Sequence, residues 1–124
     1  MSTVLIVEDN EKNMKLARDV LQAKGYKTLE AVTGEEGVRL AKEKTPDLVL
    51  MDIQLPGING IDTLKQLRGD PKTAGIPVIA LTASVTPTDR SAISAAGFDA
   101  FVSKPINLKE FVDTVKRFVG GGRK

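Results

Sequence analysis

Apolar residues in this chain fall into short unbroken runs, separated by longer segments with helical spacing. The runs are Val4-Leu5-Ile6-Val7, Leu48-Val49-Leu50-Met51, Val78-Ile79-Ala80-Leu81 and Ala100-Phe101-Val102. Continuous rather than alternating apolar positions suit parallel strands that are covered on both faces. The segment from Tyr26 to Val32 carries Lys27, Thr28 and Glu30. It is predicted as a strand at a sheet edge.

The intervening segments carry helix signals. Thr33 followed by Glu36, and Asn107 followed by Glu110, read as capping boxes. Pro87 falls at a first helical position, where its missing N–H costs nothing. The first helix is predicted to begin near Asn10 and to stop at Gly25, with Leu16, Ala17, Val20 and Leu21 as its apolar stripe. Met14 lies at the margin of that stripe, where it covers the core edge or faces a partner. In the last helix Leu108, Phe111, Val112, Val115, Phe118 and Val119 share one face. The fourth helix, about Pro87 to Ala96, has Ile93 as its one large apolar residue. Alanine buries little area, so this helix is expected to dock loosely.

Five strand-helix units in 124 residues imply one open, doubly wound parallel sheet with right-handed crossovers. Composition then narrows the chemistry. With no cysteine and no histidine, disulfides, thiolate or imidazole metal sites and a histidine base are excluded. A net charge of +2 gives no case for nucleic acid. No apolar run approaches the ~20 residues of a membrane span, and the amino terminus lacks a secretion signal. A cytoplasmic domain without membrane insertion is expected.

In such sheets ligands sit beyond the carboxyl ends of the strands, where strand order reverses. There the sequence places Glu8-Asp9 after the first strand, Asp52 after the third, Thr82-Ala83 after the fourth and Ser103-Lys104-Pro105 after the fifth. Each residue alone has a plainer explanation. Asp9 could cap the following helix, Glu8 would be solvent-exposed, Thr82 could end a strand, and Lys104 could be one of many solvated lysines. Asp52 directly follows an apolar run, where a carboxylate is costly unless paired or metal-bound. Together they form three carboxylates, a hydroxyl and an ammonium on one rim. Crowded carboxylates call for cations, and an all-oxygen donor set suits Mg²⁺ rather than zinc. Phosphoryl transfer asks mainly for such positioning and neutralisation, with Asp52 as the natural nucleophile.

The block from Asp47 to Gly57, with Glu8-Asp9, Leu81-Thr82-Ala83 and Ser103-Lys104-Pro105, resembles the receiver domain of two-component response regulators. The resemblance spans essentially the whole chain. It implies a flavodoxin-like (CheY-like) fold with five parallel strands in the order 2-1-3-4-5 and five helices. It implies that Asp52 accepts a phosphoryl group from a histidine kinase or histidine phosphotransferase. Asp9, Asp52 and the backbone carbonyl of Gln54 would bind Mg²⁺, with Glu8 acting mostly through water. Thr82 and the Ala83 N–H would hold phosphoryl oxygens, Lys104 would pair with the phosphate, and Lys104-Pro105 would be a cis peptide. The aromatic switch position falls on Phe101, where many members carry tyrosine. A switch through the hydroxyl is therefore unavailable, and Phe101 either reorients with Thr82 or is a core aromatic.

The resemblance implies a phosphoacceptor signalling protein that catalyses only its own phosphoryl transfer and dephosphorylation. Residues 1–119 are expected to form the receiver domain and 120–124 a flexible tail. Output would then pass through protein contacts of a monomer, on the surface of the fourth helix, fifth strand and last helix. Three competing readings are weaker. A nucleotide- or flavin-binding protein would need a glycine loop where Glu8-Asp9-Asn10-Glu11 stands. A Mg²⁺-dependent phosphatase would need room for a substrate cap, and a degenerate receiver would lack part of the site set.

Overall fold

The computed structural model describes residues 3–53, 60–82, 87–103 and 107–120, with backbone alone for 87–90 and 120. Strands β1 (Thr3–Val7), β2 (Lys27–Ala31), β3 (Leu48–Asp52), β4 (Val78–Thr82) and β5 (Ala100–Ser103) form one parallel sheet in the order β2-β1-β3-β4-β5. The helices are α1 (Glu11–Ala23), α2 (Gly34–Lys44), α3 (Gly60–Arg68), α4 (Pro87–Ala96) and α5 (Leu108–Val115). The last of these continues as a π-helical segment, Lys116–Gly120.

The unbroken apolar runs are explained by a core on each side of the sheet. Val4, Ile6, Leu48, Leu50, Ile79 and Leu81 face α1 and α5. Leu5, Val7, Val49, Met51, Val78 and Ala80 pack with residues of α2, α3 and α4. Because strand side chains alternate, both parities must be apolar when both faces are covered. The polar β2 lies at the edge beside β1, as its composition demands. Phe111, with no exposed surface, anchors α5. Its truncation to alanine would cost about 3–5 kcal/mol.

Local signals set the element ends. Thr33 Oγ1 accepts from Glu36 N–H at 3.1 Å while Glu36 Oε1 accepts from Val32 N–H at 3.0 Å. The Glu36 carboxylate thus reaches one residue further back than the Thr33 amide. Asn107 Oδ1 accepts from Glu110 N–H at 3.1 Å. Gly25 takes φ +92° after α1, a conformation open to glycine at little cost.

Two stripe assignments need correction. Leu16 is 37% exposed and Leu108 49% exposed, whereas Met14, Ala17 and Leu21 bury in α1. Both leucines lie off the buried faces of their helices, so their apolar type misplaces them. Met14 belongs to the core rather than to an exposed surface. Ile93, the one large apolar residue of α4, is buried.

Candidate functional site

The carboxyl ends of β1 and β3 are neighbours because Val7 is in register with Met51. The next residues, Glu8 and Asp52, therefore emerge side by side. Glu8 is 1% exposed and Asp52 4% exposed, while Asp9 is open to solvent. One carboxylate oxygen from each of the three lies within 4.8 Å of the others. Asp52 is in register with Leu81, so Thr82, also buried, stands one step further along the adjacent strand. Residues from three strands thus meet at one rim, as the topology rule required.

The two acidic residues after β1 have different roles from those their neighbours suggested. Asn10, not Asp9, caps α1, its Oδ1 accepting from Asn13 N–H at 3.1 Å. The Asp9 carboxylate is thereby left for the rim. Glu8, expected in isolation to face solvent, is instead buried. Its Oε2 accepts from Asn10 N–H at 3.1 Å, at the cap of α1.

A hard divalent cation fits this donor set. Three carboxylates of mixed burial converge, and oxygen is the only donor type available in a chain without cysteine or histidine. Crowding of like charges in a partly buried place costs free energy that such a cation would relieve.

A cleft of about 390 Å³ leads from Glu8 and Asp9 along α1 to the end of β2, past Met14, Arg18, Glu30 and Val32. Arg18 Nη1 lies 3.2 Å from Glu30 Oε2, and this hydrogen bond raises the guanidinium pKa above its ordinary value. The Asp19 carboxyl is held below its usual range, first by the Lys15 ammonium at 2.6 Å. These exposed pairs frame the cleft and contribute little stability.

Phe101 lies in β5 in register with Ala80, half-buried against the core shared with α2, α3 and α4. Gln54, Ala83, Lys104 and Pro105 lie outside the described residues. Sequence reasoning overlooked Gly60, whose N–H donates to Ile53 O at 2.9 Å directly behind Asp52. A glycine opening the helix downstream of the Asp52 block was the available signal.

No helix among the described residues is long and apolar enough to cross a membrane. The family model of the response regulator receiver domain matches residues 4–116. The chain is 47% identical over 118 residues to the polar-differentiation response regulator DivK of Brucella ovis, covering 95% of this chain and 96% of that one. Among solved structures, a putative response regulator from Chloroflexus aurantiacus superposes with a TM-score of 0.90 at 32% identity, covering 94% of this chain and 96% of the other. The receiver domain of the sensor histidine kinase PA1611 from Pseudomonas aeruginosa, with a magnesium ion coordinated in its active site cleft, gives a TM-score of 0.89 at 30% identity. That match covers 96% of this chain and 98% of the other. With a five-stranded sheet in the order 2-1-3-4-5 and an acidic rim at its carboxyl end, this chain belongs to the response regulator receiver domain family.

Proposed function

We propose that Asp52 is the phosphoacceptor, taking a phosphoryl group from a phosphohistidine on a histidine kinase or histidine phosphotransferase. The observation that carries this reading is a carboxylate only 4% exposed, at the end of a buried strand, facing two further carboxylates. Such a group is costly unless its charge is used. An Asp52 carboxylate oxygen forms the new O–P bond as the donor's N–P bond breaks, and the electron pair returns to the imidazole nitrogen. Dephosphorylation reverses the gain, with water attacking phosphorus and Asp52 recovered as carboxylate.

Asp9, Asp52 and the Gln54 carbonyl would hold Mg²⁺, with Glu8 contributing charge through water. Bound there, Mg²⁺ would neutralise charge on the phosphoryl oxygens. Thr82 and the Ala83 N–H donate to those oxygens, and Lys104 supplies a second cation. A phosphoryl group on Asp52 draws in Thr82, and Phe101 reorients with it. The outcome is read by a protein partner on the surface of α4, β5 and α5, in the cytoplasm. Backbone exchange across residues 84–104 that is identical with and without a phosphate mimic would sink this output route.

The test is incubation with a small phosphodonor, with and without Mg²⁺, followed by intact mass. The expected result is one acid-stable, base-labile adduct that needs Mg²⁺ and is absent in Asp52→Asn. An adduct retained in that variant overturns the assignment.

A further inference from the structure

Two glycines let helices close onto strand ends beside the site, and they differ in what a side chain would strike. At Gly37 in α2, a Cβ would come within 2.8 Å of Val7 Cγ2, the end of a side chain. At Gly60, the first residue of α3, a Cβ would collide with the carbonyl oxygen of Asp52. It would also lie 2.8 Å from Ile53 Cα and 3.1 Å from the Asp52 carbonyl carbon. These are main-chain atoms with little freedom to yield. Asp52 is in register with Leu81, and Ile53 N–H donates to Leu81 O at 3.1 Å. The Gly60 N–H in turn donates to Ile53 O at 2.9 Å, satisfying one of the orphan donors of the helix start. On the helix side, Thr63, Leu64 and Leu67 are all at most 1% exposed, so α3 is not free to retreat.

We propose that Gly60 is a positioning residue for Asp52. Its missing Cβ seats the first turn of α3 on the main chain of Asp52 and Ile53, and this contact sets the direction in which the Asp52 carboxylate faces Glu8 and Asp9. The inference rests on Asp52 as phosphoacceptor. A methyl group at position 60 divides its displacement between α3 and the Asp52–Ile53 peptide. A nucleophile displaced by ~1 Å loses up to about a hundredfold in rate.

The test compares Gly60→Ala, Gly37→Ala and Asp52→Asn with wild type. Phosphorylation by acetyl phosphate in Mg²⁺ is followed over a range of donor concentrations, with urea unfolding measured in parallel. Gly60→Ala is expected to lose at least about tenfold in maximal rate, with the half-saturating donor concentration unchanged. Gly37→Ala is expected to lose stability and keep its rate. A Gly60→Ala maximal rate equal to wild type, or an equal loss in Gly37→Ala, overturns the positioning role. An adduct in Asp52→Asn overturns the phosphoacceptor reading itself. If Gly60→Ala does not fold, amide exchange at Gly60 in the native chain decides. Exchange slowed by beryllofluoride with Mg²⁺ supports coupling to Asp52, and unchanged exchange overturns it.

Discussion

The two ends of the sheet use the same residue type to opposite effect. At the amino end, Asp47 precedes β3 and Asp99 precedes β5, and each forms a reciprocal pair with the first residue of a neighbouring strand. Asp47 N–H donates to Thr3 O at 2.8 Å while Asp47 Oδ2 accepts from Thr3 N–H at 2.8 Å. Asp99 N–H donates to Val78 O at 2.9 Å while Asp99 Oδ2 accepts from Val78 N–H at 2.8 Å. Arg68 completes this end, with Nη1 on the carbonyls of Ala74 and Ile76 and Nη2 3.0 Å from Asp99 Oδ2. At the carboxyl end, Glu8, Asp9 and Asp52 instead each bring one carboxylate oxygen within 4.8 Å of the others. An aspartate spent on strand N–H groups stabilises the fold. An aspartate facing other carboxylates stores unfavourable charge that a ligand can release.

This contrast predicts effects of opposite sign. The largest is metal binding: Mg²⁺ at a hundred times its Kd should raise the wild-type unfolding free energy by about 2.7 kcal/mol. Urea titrations should show that increment intact in Asp99→Ala and largely lost in Asp9→Asn. An equal increment in Asp9→Asn would break the distinction between the two ends. Next, Asp99→Ala should lower stability by about 2 kcal/mol, since it removes the acceptor for both Val78 N–H and Arg68, without changing the Asp52 adduct. In metal-free buffer Asp52→Asn should go the other way, gaining about 1 kcal/mol as carboxylate crowding is relieved. A destabilised Asp52→Asn would erase the sign difference.

The smallest effect belongs to Asp70, in the turn after α3. Its carboxyl is held below the usual range, first by the Lys72 N–H at 2.8 Å and then, against some desolvation, by Lys42 at 3.5 Å. A folded-state pKa below the unfolded value gives stability that is full above about pH 4 and is lost as pH falls through the folded value. The stability gap between wild type and Asp70→Asn should therefore narrow below about pH 4 in acid-unfolding curves.

Glu8, Asp9, Asp52 and Thr82 were legible as a site because a single rule converts strand ends into a shared rim. The unbroken apolar runs supplied the strands, and strand-helix alternation supplied the parallel sheet. What could not be read depends on neighbours remote in sequence. Asp9 and Asn10 are both competent caps one residue apart, and only the path of the chain leaving β1 assigns that role to Asn10. Glu8 is buried because it follows Val7 on the rim, although its type favours solvent. The collision at Gly60 involves main chain seven and eight residues upstream. The amino-end pairs did leave a repeated trace, an aspartate immediately before the apolar runs at Leu48 and Ala100.

Arg68 Nη2 also approaches Gly97 O at 3.4 Å, at the corner between α4 and β5. Together with its pairing to Asp99, this ties one end of α4 to the amino end of the sheet. A ten-residue helix is about 15 Å long, so a turn of about 10° around that fixed corner carries the far end about 2–3 Å. Any tilt about that corner would be multiplied along the helix, and the arm is longest at the end near Pro87.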